Sequence, residues 1–139
     1  MISLEVQDTK YLMGKLLKDT TFDDFLVANI EISNFATFEI NTKKNAVSWE
    51  VLRPYTLNII KGKEQPKYIK IVFLLNQIKS ESIAPDCGFF LNLHYRGELY
   101  FTTGTSTKTF NPDKSIEHVW EDYIKNFFKI NKFQYKLVE

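Results

Sequence analysis

Apolar and polar residues alternate along several short stretches of the chain, and near its end apolar residues recur every three or four positions instead. Period two turns successive side chains to opposite faces of a strand, and the longer spacing gathers them on one side of a helix. Residues 67–75 make the cleanest strand, with Ile69, Ile71, Phe73 and Leu75 facing inward. Residues 2–6 read as a short strand. Residues 25–33 and 36–41 read as two more, joined tightly at Ser33-Asn34-Phe35; in the first, Leu26, Ala28, Ile30 and Ile32 alternate with Val27, Asn29, Glu31 and Ser33.

Residues 89–103 form a hairpin whose register follows from the same pattern. A two-residue turn at Arg96-Gly97 would pair Leu93 with Tyr100 and put apolar residues on both faces. A type I turn at Tyr95-Arg96, with Gly97 left-handed in a bulge, pairs Leu93 with Leu99 and Leu91 with Phe101. Asn92, His94, Glu98, Tyr100 and Thr102 then share the wet face.

Three helices are predicted. Asp8 or Thr9 caps the first, which runs to about Lys18 with Tyr11, Leu12, Leu16 and Leu17 on its buried side. Residues 54–61 read as a short helix ended by Gly62 in a left-handed cap, with a strand carrying Tyr55, Leu57 and Ile59 as the alternative. Residues 115–129 are the clearest helix: Ile116, Val119, Trp120, Tyr123, Ile124, Phe127 and Phe128 keep helical spacing, and Asp113 or Ser115 caps it. The expected fold is α+β: one single domain over residues 1–139, with one mainly antiparallel sheet of five or six strands and helices packed on one face.

Composition narrows the function classes. Twelve Phe and seven Tyr make the core aromatic, and a formal net charge of +1 provides no whole-molecule field for nucleic acid or an anionic membrane. The longest purely apolar run, "IVFLL", is far too short to span a bilayer. The first ten residues, "MISLEVQDTK", lack a basic start followed by an apolar stretch, so no secretory signal is expected. One cysteine, Cys87, excludes an internal disulfide and suits a reducing, cytoplasmic setting.

Candidate chemistry is sparse. "YFTTGTSTKTF" superficially suggests a phosphate loop, but Gly104 stands alone before Lys108-Thr109, without the second glycine that a backbone cradle needs. It reads as a threonine-rich strand end. His94 and Glu98 flank the hairpin turn on one face, where a carboxylate could orient an imidazole as a general base; a plain cross-strand polar pair explains them as well. Two histidines and one cysteine, at 87, 94 and 118, have no metal-ligand spacing, so neither metal nor cofactor is expected. His118 reads as an exposed or capping residue, and the pairs Asp23-Asp24 and Glu121-Asp122 as a helix start and a solvated face. The remaining bias is electrostatic. Arg53, Lys61, Lys63, Lys67 and Lys70 face one acid, Glu64, and Tyr68, Asn92 and Tyr100 should share the wet face with Lys70. Basic and aromatic side chains so interleaved suit single-stranded nucleic acid, although Glu31, Glu39 and Glu98 on that face oppose it.

The stretches "RPYTLNIIKGKEQPKYIKIVF", "TTGTSTKTFNPDKSIEHVWEDYIKNFF" and "MISLEVQDTKYLMGKLL" resemble a family of unknown function from anaerobic Gram-positive bacteria. The resemblance implies a soluble bacterial protein and brings no activity, cofactor or catalytic residue with it. The leading expectation is a non-enzymatic binding or assembly module with a protein partner. Single-stranded nucleic-acid binding comes second, and a small enzyme built on His94 and Glu98 third.

Overall fold

Every alternating stretch becomes a strand, and two further strands join them. The computed structural model describes residues 1–42, 45–62, 65–107 and 115–138. In it, β1 (Ser3–Val6), β2 (Leu26–Ser33), β3 (Thr37–Asn41), β4 (Val47–Ser48), β5 (Tyr68–Leu74), β6 (Cys87–Tyr95), β7 (Leu99–Thr107) and β8 (Tyr135–Val138) form one antiparallel sheet. Its order is β3-β2-β5-β6-β7-β1-β8, with β4 also paired to β2. The sheet thus has eight strands rather than five or six. The additions are a two-residue strand, too short for alternation to announce, and an edge strand whose Leu137 and Val138 are both exposed.

Four helices accompany the sheet: α1 (Thr9–Leu17), α2 (Trp49–Ile60), α3 (Gln77–Ile83) and α4 (Ser115–Ile130). Asp8 caps α1 by accepting from the Tyr11 N–H. Leu12 and Leu16 are buried, but Tyr11 lies at the rim and donates its hydroxyl to the Asn131 carbonyl. α2 begins five residues earlier than the proline rule suggests. Trp49 anchors its first turn, packing edge-on against Phe73 and donating its indole N–H to Leu16 O at 2.9 Å. This burial outweighs the helix bond that Pro54 cannot make to the Glu50 carbonyl. The helix ends at Ile60 with Lys61 as its cap, and Gly62 is not left-handed.

Sheet and helices meet on one face. Phe22, Phe73, Phe101, Phe127 and Phe133 cluster with ring centroids 5.3–6.2 Å apart about Phe22. Phe101 meets Phe128 of α4, and Phe89 meets Trp120 of the same helix. Ile30, Ile32, Ile69, Ile71, Leu91, Leu93 and Leu99 complete the buried layer. Among the described residues no helix packs on the opposite face.

Two registers differ from the simple pattern. The β2–β5 ladder shifts between Val27 and Asn29, so that Val27 opposes Phe73, Asn29 opposes Val72, and Ala28 is the extra residue of a bulge. Val27 is therefore fully buried and Leu26 turns outward, the reverse of strict alternation. In the hairpin, Gly97 is left-handed (φ 83°) as expected, but Tyr95 opposes Leu99 and His94 opposes Tyr100. The loop is Arg96-Gly97-Glu98. Both registers keep Leu93, Leu99 and Phe101 on one face, so the alternation could not separate them.

Candidate functional site

The uncovered face of the sheet is ordered into transverse rows, because each strand's register aligns its outward residues with those of its neighbours. One row reads Glu39, Glu31, Lys70, His94, Tyr100, Glu5, Lys136 across seven strands. The next reads Asn41, Asn29, Val72, Asn92, Thr102, Ser3, Val138. A third carries Leu26, Leu74, Phe90 and Gly104. The face therefore grades from charged through neutral polar to apolar.

Within the charged row acidic and basic residues lie side by side. Glu31 opposes Lys70 and Glu5 opposes Lys136 in the ladders. Near the hairpin, Arg96 lies over the Tyr68 ring at 4.9 Å, and Glu98 accepts the Tyr100 hydroxyl at 2.5 Å. That hydrogen bond, helped by burial and the nearby carboxylates, pushes the Tyr100 phenol up to about 12. His94 stands between Lys70 and Tyr100. Burial, then the Lys70 ammonium, hold its imidazole below its ordinary value of 6.5. The expected pairing of His94 with Glu98 is corrected by the register: Glu98 lies in the loop and serves Tyr100, so no carboxylate opposes the imidazole.

The neutral row is differently disposed. Asn92, Thr102 and Ser3 are half-buried, and their side chains hydrogen-bond no other described residue. Beside them, Phe90 lies against Gly88: a Cβ on that glycine would sit 3.4 Å from Phe90 Cε2 and 3.7 Å from Cζ. Across the ladder, Gly104 opposes Phe90, so no side chain crowds the ring on that flank. Sequence reasoning missed Phe90. Its signal was the pair of glycines, Gly88 and Gly104, set at an outward position on either side of an aromatic.

Other sequence candidates are dispersed. Lys70, Tyr68, Asn92 and Tyr100 do share the open face. Arg53 belongs to α2, on the helical side, where its guanidinium meets Asp23 at 3.0 Å; Lys61 caps the same helix. Lys67 precedes β5 and is exposed, while Lys63 lies outside the described residues. Asp23 is no solvated helix start. Its side chain is 13% exposed, and burial raises its carboxyl above 3.8 although Arg53 pulls it down. Asp23 Oδ1 and Arg53 Nε are buried with no partner. Glu121, expected on a solvated face, is buried with its carboxylate 3.0 Å from the Met1 amino group and 3.3 Å from His118 Nδ1. Burial raises its carboxyl, but these contacts outweigh that and lower it. His118 is exposed as expected. Gly104 lies within β7, so the threonine-rich segment is strand through Thr107; Lys108-Thr109 and Asp113 lie outside the described residues. No cluster that could hold a metal occurs among the described residues, and none of their helices is long and apolar enough to cross a membrane.

Residues 41–136, more than half of the chain, match the family of unknown function DUF5721, and the chain belongs to that family. No curated protein and no solved structure matches it.

Proposed function

We propose that this member of a family of unknown function is a non-enzymatic binding module whose ligand surface is the open face of its sheet. One observation carries the reading: the helices gather on the opposite side, and a contiguous row of outward side chains, Asn92, Thr102 and Ser3, has hydrogen-bonding capacity that the protein does not use. Catalysis by a His94–Glu98 pair has no support here, because His94 lacks a carboxylate partner and is flanked by a cation. Nucleic-acid binding is also disfavoured. Glu5, Glu31, Glu39 and Glu98 share the face with Lys70, Arg96 and Lys136, and Arg53 is spent on Asp23. The same proposal takes the protein to be cytoplasmic and from an anaerobic Gram-positive bacterium, a setting that suits the free thiol of Cys87.

Backbone amide NMR tests the reading. Titrated ligands should shift the amides of β5, β6, β7 and β1 together. Shifts confined to the helical side would overturn it.

A further inference from the structure

We infer that the ligand of this face is a neutral oligosaccharide, with a pyranose ring stacked on Phe90 and its hydroxyls bound by Asn92, Thr102 and Ser3. This rests on the open-face reading above and names its substrate class. Three independent features select a sugar.

The first is charge. Glu31 opposes Lys70, Glu5 opposes Lys136, Glu98 holds Tyr100 and Arg96 caps Tyr68. A polyanion would meet four carboxylates, Glu5, Glu31, Glu39 and Glu98, and a polycation would meet Lys70, Arg96 and Lys136. An uncharged ligand is indifferent to both, so a face of mixed sign favours neutrality.

The second is the platform. Phe90 rests on Gly88, beside the Ser106 hydroxyl, with Gly104 opposite it on β7 and Leu74 opposite it on β5, so one flank of the ring carries no side chain. The axial C–H face of a pyranose needs such a flat apolar surface. Leu74 and Leu26 continue the apolar strip toward β2.

The third is the pairing of this strip with the adjacent amide and hydroxyl row. Asn92 is two residues from Phe90 on one strand, Thr102 opposes Asn92, and Ser3 opposes Thr102. These groups offer both donors and acceptors, which hydroxyls require and backbone-paired peptides do not. Strands spaced about 4.8 Å apart present one such side chain per strand, roughly one for each ring of a chain lying across the sheet.

The experiment is affinity electrophoresis of the full chain through gels containing soluble neutral polysaccharides (β-glucan, α-glucan, xylan and galactomannan), with dextran sulfate as the charged control. Retention by at least one neutral polymer and not by dextran sulfate is expected. Phe90→Ala should weaken the retaining interaction about tenfold, and Asn92→Ala about fivefold. Tyr55→Ala, on the exposed helical side, should leave it unchanged. Circular dichroism melts establish that each variant is folded, and Thr102→Val supplies a second, near-isosteric probe should Phe90→Ala unfold. Absence of retention on all four neutral polymers overturns the sugar assignment, as does retention that Asn92→Ala and Thr102→Val both leave intact. The open-face reading fails separately, if oligonucleotides and peptides titrated into the labelled protein also leave the amides of β5, β6, β7 and β1 unmoved.

Discussion

Trp120 joins the core to the candidate ligand surface, and its removal gives the sharpest test of the packing. The indole is fully buried, lies 5.4 Å from the Phe89 ring and 5.3 Å from Tyr123, and donates its N–H to Phe90 O at 2.9 Å. Trp120→Ala removes a large aromatic from a site that the sheet cannot collapse into, at a cost of about 3–5 kcal/mol. It also leaves the Phe90 carbonyl without its partner; because that bond is only partly buried, the low end of about 1–3 kcal/mol applies. Against a total stability of about 5–15 kcal/mol the variant should be near the limit of folding. With a urea slope of about 1–3 kcal/mol per molar, its midpoint should fall by on the order of 2 M. Trp120→Phe separates the two contributions, since it keeps most of the ring and loses the N–H. Urea melts followed by far-UV circular dichroism measure both. A midpoint shift below about 0.5 M for Trp120→Ala would refute the packing argument. Equal shifts for the two variants would assign the whole effect to the hydrogen bond.

Gly97→Ala forces a side chain into a left-handed turn and should cost about 1–2 kcal/mol, read as a lowered denaturant midpoint. Arg53→Met strips the buried Asp23 carboxylate of its counter-ion and should cost about 1–3 kcal/mol at neutral pH, discounted from a fully buried pair because Arg53 is partly exposed. Asp23 titrates above its unfolded value, so its contribution is complete below about pH 4 and is lost as pH rises through the folded value; Arg53→Met should steepen that loss in melts at pH values above about 4. His94 behaves oppositely. Its imidazole is depressed, so stability is full above the unfolded value and falls as pH drops through the folded one, and Lys70→Ala should raise the His94 midpoint in NMR titration without restoring it to 6.5, because burial is the larger cause.

What was legible in the sequence follows the range of the interaction that encodes it. Local periodicity announced β5, the hairpin and α4, because a strand or helix buried on one side shows its burial in its own residues. Asp8 capping α1 was legible for the same reason. The start of α2 was not, since it depends on Trp49 finding Phe73 and Leu16 across the core. β8 was hidden because an edge strand with exposed Leu137 and Val138 has no clean inside. The bulge at Ala28 escaped for a subtler reason: Ala fits either face, and only the partner strand shows that Val27 belongs with Phe73. Membership of the candidate face was largely legible for Lys70, Tyr68, Asn92 and Tyr100. Their neighbours were not, since the His94–Tyr100 opposition depends on a hairpin shifted by two residues, which alternation cannot detect.

The same register that hid the rows also makes them useful. Each outward residue is fixed by its inward neighbours: Asn92 stands between Leu91 and Leu93, and Thr102 between Phe101 and Thr103, all four of them buried. A slip of one residue would carry the buried set to solvent, so the hydrophobic core enforces the alignment of the polar row. The outward residues are then free to vary in chemistry without loosening their own positions. Asn92→Ala should therefore change binding with little change in stability, whereas Leu91→Ala should change both. The face is rigid because its back is buried, and a rigid array of uncommitted hydrogen-bonding groups loses little entropy when a ligand arrives.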